Sequence, residues 1–262
     1  MNLALLIDSL IGELALFAAA GYLLFALDDL AVDLIYFGRR GWRALVIYSR
    51  YPRAFAANLP PARHPGRLAV FIPAWDESTV IGPMLRAALR RFVHGDYRLY
   101  VGHYRNDPAT GAAIAAVADP RVRAVALDLD GPTTKADCLN HLYRALVADE
   151  AAGEPRAKAI VLHDAEDLVH PLELGLYDRL VERAALVQLP VVPLLDKGSK
   201  WIAGHYADEF AEAHIKELVV REAVGASIPL AGVGCAIERG ALDRLASERR
   251  CPVRARQPDR GL

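Results

Sequence analysis

The sequence is poor in cysteine. Three cysteines occur in 262 residues, and they are widely separated: Cys138, Cys235 and Cys251. This spacing excludes a disulfide framework and a cysteine-based zinc site. We expect reduced and mostly buried thiols, as is typical of a domain that faces the cytosol.

Histidine spacing of the kind that binds metals is also missing. His163, His170, His205 and His214 do not follow any metal-ligand pattern. We therefore expect these histidines to be structural or exposed. If the protein binds a metal, its ligands are expected to be carboxylates.

The chain carries no excess of either charge. Lys and Arg number 31 and Asp and Glu 32, which gives a formal net charge of −1, and the basic residues are spread along the sequence. A nucleic-acid-binding surface needs a concentrated basic patch. We therefore expect no nucleic acid among the partners. The hydrophobic content of 53% is high for a purely soluble protein.

Basic residues are absent from the first 38 positions, and Leu14–Leu27 carries no charge at all. A helix needs about 20 mostly apolar residues to cross a bilayer. Arginines follow from Arg39 onward, and basic residues collect on the cytoplasmic side of a membrane. This pattern predicts a membrane anchor with its N-terminus outside and the main domain in the cytosol. A buried or interfacial amphipathic helix is the alternative.

Strand-like and helix-like segments alternate after a proline-rich break. The predicted strands are 68–73, 97–102, 122–127, 159–162 and 186–195. The predicted helices are 78–92, with Asp76 or Ser78 near its cap, a helix opened by Asp107-Pro108, 134–147 and 201–224. Such alternation favours an α/β fold with a largely parallel sheet. We predict an anchor and juxtamembrane helix at 1–57, a linker at 58–66, the α/β domain at 67–247 and a disordered tail at 248–262.

Two carboxylates follow the apolar segment Ala159–Leu162. Asp164 and Glu166 are two positions apart, so in an extended segment their side chains emerge on the same face. Neighbouring carboxylates repel each other unless a cation lies between them. Mg²⁺ or Mn²⁺ bound by oxygen ligands normally also holds a substrate phosphate. The sequence thus predicts a divalent metal site at Asp164 and Glu166, with a solvated acidic turn as the alternative.

Three further polar segments follow predicted strands, at 71–77, 102–107 and 128–140, and a glycine-punctuated segment lies at 228–239. Taken in order with Asp164-Ala-Glu166, they resemble the motifs of family 2 glycosyltransferases over roughly residues 66–245. The resemblance implies a GT-A fold, a nucleotide-diphosphate sugar as ligand, and Mn²⁺ or Mg²⁺ as cofactor.

The resemblance also implies roles for individual residues. Residues 73–77 stand where the family has Pro-Ala-Tyr-Asn-Glu, 134–140 resemble its Gly-Lys-Ala-x-Ala-Leu-Asn segment, and Asp164-Ala-Glu166 matches its Asp-x-Asp metal motif. The implied nucleotide-sugar-binding residues are Ala74, Asp76, Glu77, Asp107, Lys135 and Asp164. The implied metal ligands are Asp164 and Glu166, and the implied acceptor-side residues are Gly232 and Gly234.

Within the family, the chain resembles a group of glycosyltransferase-like proteins of the bacterial inner membrane. These proteins are known as phage-adsorption receptor subunits and are associated with exopolysaccharide export. Residues 28–33, 101–108 and 188–193 carry this likeness. It implies attachment to the lipid bilayer, a polysaccharide or envelope acceptor, and an exopolysaccharide-export or outer-membrane partner.

The catalytic base of the family, usually in a Thr-Glu-Asp segment, has no counterpart in the sequence. The Gln-x-x-Arg-Trp motif of processive synthases is also absent. We therefore expect a C-terminally truncated chain whose catalytic residues are unknown. A non-catalytic, membrane-tethered subunit that binds a nucleotide sugar or a partner is the main alternative.

Asp128-Leu-Asp130 supports a third hypothesis, because it resembles the nucleophile motif of haloacid-dehalogenase-type phosphatases. There Asp128 would attack a phosphoryl group and Asp130 would act as acid and base, with Lys197 as part of a later motif. That motif normally follows the first strand of its fold, whereas two strand–helix units precede it here. Pro132 also interrupts it. This hypothesis is the least favoured.

Overall fold

The computed structural model describes residues 3–195 and 198–249. Lys197, Cys251 and the part of the predicted disordered tail from residue 250 onward lie outside the described residues. The helices are α1 (Leu3–Trp42), α2 (Ile81–Arg91), α3 (Pro108–Ala115), α4 (Lys135–Ala151), α5 (Glu173–Leu180), α6 (Lys200–Ala211), α7 (Leu218–Ala223) and α8 (Arg239–Arg249). The strands are β1 (Arg67–Pro73), β2 (Tyr97–Tyr104), β3 (Val122–Leu127), β4 (Ala157–Leu162), β5 (Leu186–Gln188) and β6 (Cys235–Glu238).

Contacts divide the chain into two compact units. The first contains the chain up to Ala54 together with Val192–Pro229, and therefore α1, α6 and α7. The second contains Phe55–Val191 and the chain from Leu230 onward, with all six described strands. The predicted α/β domain, 67–247, includes 192–229, whereas the contacts group this segment with the N-terminal helix.

The second unit is built on a six-stranded sheet in the order β3-β2-β1-β4-β6-β5. Strands β1 to β4 run parallel; Phe71 of β1 lies opposite Tyr100 of β2 and Leu162 of β4. Strand β6 is antiparallel to both β4 and β5. The predicted α/β class with a mostly parallel sheet is therefore confirmed.

Strand β1 shows why these residues form a central strand. Leu68–Ile72 is at most 2% exposed. Alternate side chains enter the two cores of the unit: Val70 packs with residues of α2 and α5, and Phe71 packs with residues of α4 and α8. A parallel strand covered on both faces buries every side chain, so it reads as a continuous apolar run. Each large buried side chain contributes about 1.5–3 kcal/mol.

Helix α1 dominates the first unit. At 1.5 Å per residue its 40 residues extend about 60 Å. Residues 7–47 form the one helical segment of the described chain that is long and apolar enough to cross a membrane, with a mean hydropathy of 2.0 and none of its most apolar stretch buried. Phe17 and Phe25 are 80% and 73% exposed.

Two local predictions were wrong. Helix α2 begins at Ile81 rather than Ser78, and no side chain caps it. Asp76 instead has a left-handed backbone with φ of 57°. The predicted strand 186–195 ends at Gln188, because Pro190 and Pro193 lack the N–H group that a sheet ladder requires.

A network of charged groups fastens the segment before β1 to the rest of the second unit. The Glu182 carboxylate accepts hydrogen bonds from the backbone N–H groups of His64 (2.8 Å) and Arg63 (3.1 Å). Lys158 lies 2.9 Å from Glu182 and 2.6 Å from Asp178. The hydrogen bond from His64, followed by those from Lys158 and Arg63, lowers the pKa of Glu182 to about 2.

This lowered pKa predicts acid sensitivity. A carboxylate whose pKa is depressed on folding stabilises the fold above its unfolded pKa, and this contribution is lost as the pH falls through the folded value. We expect Glu182→Gln to be less stable than the wild type at pH 7, with the difference disappearing between about pH 4.5 and pH 2. Thermal unfolding across this range measures it. Glu248→Gln, which changes an exposed glutamate of α8, should show no such convergence.

Candidate functional site

An open cavity of about 280 Å³ lies at the carboxyl ends of β1 and β4. This is where ligands bind in open parallel sheets. The cavity is lined by Pro73, Ala74, Trp75, Glu77, Tyr104, Thr133, Lys135, Cys138, Asp164, Ala165 and Glu166. Five site residues predicted from the sequence therefore line the same cavity: Ala74, Glu77, Lys135, Asp164 and Glu166.

The acidic pair lies on a turn rather than on a strand. Strand β4 ends at Leu162, and the backbone N–H of Asp167 donates to the carbonyl of Asp164 over 3.3 Å. The alternation of an extended segment was thus the wrong reason for expecting a common face. Nevertheless both side chains reach the cavity, Asp164 half-buried and Glu166 exposed.

A third carboxylate, that of Glu77, faces the same cavity. Burial raises the pKa of Glu77, and the negative charges of Glu166 and Asp76 raise it further. Asp164 adds to this effect. The raised pKa shows that negative charge accumulates here, and a cation placed among these groups would relieve the repulsion.

Lys135 connects the acidic turn, residues 164–167, to the glycine segment, residues 231–234. Its ammonium group pairs with the Asp164 carboxylate and donates a hydrogen bond to the Gly232 carbonyl over 3.2 Å. Lys135 is the first residue of α4, and the Thr134 hydroxyl caps this helix by accepting from the Asp137 N–H over 3.2 Å. Lys135 and Asp164 remain 40% and 37% exposed, so the pair contributes about 0–1 kcal/mol to stability. Both groups are therefore available to a ligand.

Gln188 anchors the glycine segment. Its amide nitrogen donates to the carbonyls of Val233 and Gly234 over 3.0 Å each, and its oxygen accepts from the Ala231 N–H over 3.2 Å. Gly232 and Gly234 have φ values of 81° and 59°, a left-handed backbone that favours glycine. The segment therefore passes the cavity as a fixed turn. Only Gly232 contacts Lys135, whereas Gly234 pairs with the β4 end through Leu162 over 2.9 Å.

Asp76 and Asp107 do not line the cavity. Asp107 is 8% exposed and caps α3 through the Thr110 N–H, as the Asp107-Pro108 pattern predicted. Its second oxygen accepts from the Asp76 N–H over 2.7 Å. Burial acts to raise the pKa of Asp107, but the hydrogen bonds from Thr110 and Asp76 outweigh it and lower the pKa. Asp107 thus fixes the segment after β1 through a hydrogen bond without lining the cavity itself.

A buried histidine supports the acidic turn. His163 is 4% exposed, with Nδ1 2.8 Å from Asp167 and Nε2 2.9 Å from Glu173. Asp167 also accepts the backbone N–H of Asp164 over 3.0 Å. Burial acts to lower the pKa of His163, but the two carboxylates raise it to about 9. His163 is thus buried and structural, as expected, but its two carboxylate partners were not predicted from the sequence.

An aromatic wall of the cavity, formed by Trp75 and Tyr104, was not predicted from the sequence. The rings of Trp75 and Tyr104 pack edge to face with their centroids 5.1 Å apart, and the Tyr104 hydroxyl lies 2.7 Å from that of Thr133. Cys138, from the first turn of α4, is 1% exposed behind them. Trp75 and Tyr104 lie at or just after strand ends, and this position could have identified them as residues of the site. The predicted end of the second strand, at Gly102, was two residues short.

The residues present fit a divalent cation in one specific way. Among the residues that the structure describes, no group of three or more His, Cys, Asp or Glu side chains is arranged to hold a metal ion. Mg²⁺ is often held by one or two carboxylates together with substrate phosphates. The oxygen donors of Asp164 and Glu166 match this arrangement, with the phosphates of a ligand completing the coordination.

The phosphatase motif lies elsewhere. Asp128 and Asp130 follow β3, at the edge of the sheet, and both are exposed. Arg105 pairs with Asp130 over 2.7 Å. Neither aspartate lines the cavity, so the geometry does not favour a phosphatase site.

Comparison with known proteins identifies relatives of the chain. A family model described as glycosyltransferase like family 2 matches residues 65–259. Bacteriophage adsorption protein B of Escherichia coli strain K12 and bacteriophage N4 adsorption protein B of Escherichia coli O157:H7 are each 40% identical over 225 residues, which is 85% of this chain. The chain spans 30% of the length of these curated relatives.

Solved structures with low sequence identity were also found. Mannosyltransferase PcManGT from Pyrobaculum calidifontis, in complex with GDP-Man and Mn²⁺, is 18% identical with a TM-score of 0.47, covering 82% of this chain and 56% of that one. Glucosyl-3-phosphoglycerate synthase from Mycobacterium tuberculosis, in complex with UDP, is 18% identical with a TM-score of 0.42, covering 74% and 64%.

The family model covers the whole sheet and the cavity at its carboxyl edge. The resemblance to family 2 glycosyltransferases that was stated from the motifs is thereby confirmed. The phosphatase hypothesis has no such support. The chain belongs to the glycosyltransferase like family 2.

Proposed function

We propose that this chain is a membrane-anchored transferase that binds a nucleotide-diphosphate sugar through Mn²⁺ or Mg²⁺ and passes the sugar to a polysaccharide or envelope acceptor. One observation carries the proposal. Lys135, Asp164 and Glu166 meet in an open cavity at the carboxyl edge of a parallel sheet. A cation site beside a lysine at a helix N-terminus is suited to a diphosphate.

The chemistry follows from the charges. Breaking the bond between the sugar and the diphosphate leaves negative charge on the leaving group, and a divalent cation, when bound, neutralises part of it. Asp164 and Glu166 would hold that cation. Lys135 would exchange its pair with Asp164 for a phosphate oxygen, and the N–H groups of the first turn of α4 would add positive potential.

The aromatic wall would shape the pocket. Trp75 and Tyr104 cover one side of the cavity, and Tyr104 is fixed by its hydrogen bond to Thr133. Aromatic faces exclude water and strengthen the electrostatic contacts beside them. In this proposal Ala74 and Glu77 contact the nucleotide, while Asp76 and Asp107 position them. Gly232 and Gly234 form the acceptor side.

Membrane attachment forms part of the proposal. The exposed apolar side chains of α1 would lie in the bilayer, with the N-terminus outside and the second unit in the cytosol. The arginines that follow Arg39 support this orientation. Because the names of the relatives refer to bacteriophage adsorption, we propose the bacterial inner membrane and a partner in exopolysaccharide export or in the outer membrane.

A non-catalytic binding subunit is the second candidate. Deprotonation of the acceptor hydroxyl needs a base within hydrogen-bond reach. The sequence contains no Thr-Glu-Asp segment, where the family normally carries this base, and we assign no residue of the chain to that role. Nucleotide binding is common to both candidates, and only turnover separates them.

Thermal unfolding of the detergent-purified chain tests the shared step. We expect UDP or GDP at about 100 times its Kd, with Mn²⁺, to stabilise the fold by roughly 2.7 kcal/mol. At 2–4 °C per kcal/mol this corresponds to about 5–10 °C in Tm. Chelation should remove the shift. A lack of stabilisation by any nucleotide with Mn²⁺ would contradict the proposal, and release of nucleotide from a sugar donor would distinguish the transferase from the binding subunit.

A further inference from the structure

A second cavity, of about 420 Å³, lies inside the first unit. Its walls come from the last turns of α1, the π-helical segment Arg43–Ile47 that continues it, and the segment around α7. Neither the family motifs nor the proposed transfer reaction uses it. Four arginines line it: Arg39, Arg40, Arg43 and Arg53.

The charges of Arg39, Arg40 and Arg43 are not balanced by the residues that line the cavity. None of the described residues that line it is acidic. Across the described residues, Arg39, Arg40 and Arg43 form no ion pair with a carboxylate. Arg40 instead donates to the Tyr36 hydroxyl over 3.4 Å. Cations gathered in a concave surface repel one another, so the site favours an anion.

The nearby carboxylate of α1 is already engaged. Asp33 lies 2.6 Å from the ammonium group of Lys216, and Glu212 also pairs with that lysine. The hydrogen bonds from Asp33 and Glu212 raise the pKa of Lys216, which keeps the lysine charged. Asp33 is thus paired with Lys216 and does not neutralise the positive charge of the arginines one to two turns further along the helix.

The opposite wall of the cavity is apolar. Ile215, Val219 and Val220 contribute it, and Ile215 and Val219 are still 45% and 41% exposed. Ala44 extends this surface toward α1. A ligand that fills the site would need an anionic group against the arginines and a hydrocarbon part against these side chains.

We propose that this cavity binds the phosphate group of an anionic membrane lipid. Arginine presents a planar fork of donors that matches phosphate oxygens, and such charge-assisted hydrogen bonds are strong. A volume of about 420 Å³ falls in the range of small-molecule sites. The proposal rests on the membrane attachment proposed above but not on sugar transfer. Anionic phospholipids and polyisoprenyl phosphates share this chemistry. Phosphatidylcholine carries a choline cation that balances its phosphate, and free phosphate lacks the hydrocarbon part.

Native mass spectrometry of the full chain in nonionic detergent tests the site. Phosphatidylglycerol and a polyisoprenyl monophosphate are each compared with phosphatidylcholine and with inorganic phosphate. We expect at least one of the two anionic lipids to bind about tenfold more tightly than phosphatidylcholine. The tighter of the two identifies the source of the phosphate.

Two matched variants distinguish a specific lipid-binding site from general electrostatic attraction of the lipid. Arg43→Gln should weaken the lipid adduct about tenfold or more, since loss of 1.4 kcal/mol is a factor of ten and a hydrogen bond to a charged group is worth at least that. Arg50→Gln removes the same charge from an exposed position outside the cavity and should change binding less than about twofold. Arg39→Gln is a second cavity variant, in case Arg43→Gln fails to fold.

Equal weakening in Arg43→Gln and Arg50→Gln would overturn the proposal, because it would show diffuse attraction. Inorganic phosphate that displaces the lipid at equal concentration would also overturn it. Stabilisation by UDP or GDP with Mn²⁺ is measured on the same variants. A loss of lipid binding that leaves this stabilisation intact separates the lipid site from the nucleotide site.

Discussion

Replacing Asp164 by asparagine is expected to weaken Mn²⁺-dependent binding of UDP or GDP by at least about 100-fold. The substitution keeps the shape of the side chain but removes one of the two carboxylates proposed to hold the cation. Loss of groups that merely orient metal ligands already costs 10–100-fold in metal affinity. Isothermal titration of the nucleotide, with Mn²⁺ and with a chelator, measures the effect.

The fold of this variant should survive. Asp164 and Lys135 are both more than one third exposed, so losing their ion pair is expected to cost no more than about 1 kcal/mol. Asp128→Asn is the matched control, because Asp128 is an exposed aspartate that follows a parallel strand but does not line the cavity. Wild-type nucleotide affinity in Asp164→Asn, or an equal loss in Asp128→Asn, would contradict the metal assignment.

Replacing His163 by leucine is expected to destabilise the second unit by about 3–5 kcal/mol. The side chain volume is similar, but the imidazolium that pairs with Asp167 and Glu173 is lost. Removing one partner of a buried ion pair leaves an uncompensated charge, which costs about this much. Glu173 is 5% exposed and cannot turn toward water. The expected fall in Tm is about 6–20 °C.

An exposed histidine of the same loop provides the control. His170→Leu should lower the Tm by less than about 4 °C, because the exposed ring loses only the hydrogen bond that it accepts from the Leu172 N–H, worth about 1 kcal/mol. A His163→Leu variant as stable as the wild type would show that the two carboxylates do not need a buried cation. Asp167 also holds the backbone of Asp164, so the variant is expected to bind nucleotide more weakly even where it remains folded.

The sheet could be predicted in detail from local patterns. Strand β3 was predicted at its observed bounds, and β1 and β4 within two residues, because buried parallel strands are short apolar runs between polar turns. Asp107-Pro108 correctly marked the start of α3, since an aspartate cap followed by proline satisfies the free N–H groups of a first turn. Strands β5 and β6 were harder, because their pairing depends on residues far apart in the chain.

The site could be predicted only in part. Ordered motifs pointed to Glu77, Lys135, Asp164 and Glu166, all of which line the cavity. Asp107 was predicted as a ligand-binding residue, but its oxygens are used by the backbone of Asp76 and Thr110. A sequence cannot distinguish these two uses of a carboxylate, because the difference lies in which N–H groups the fold brings within 3 Å.

The sequence by itself determined the α/β class, the family and the positions of the polar segments, because each of these depends on patterns within a few neighbouring residues. Only the tertiary structure decided which segments meet. It brought Lys135 to Asp164 across 29 positions of sequence and placed Glu173 against a buried His163. It also gathered the arginines at the end of α1 around an apolar wall from α7. Such contacts are set by the packing of elements distant in the chain, and local periodicity carries no information about them.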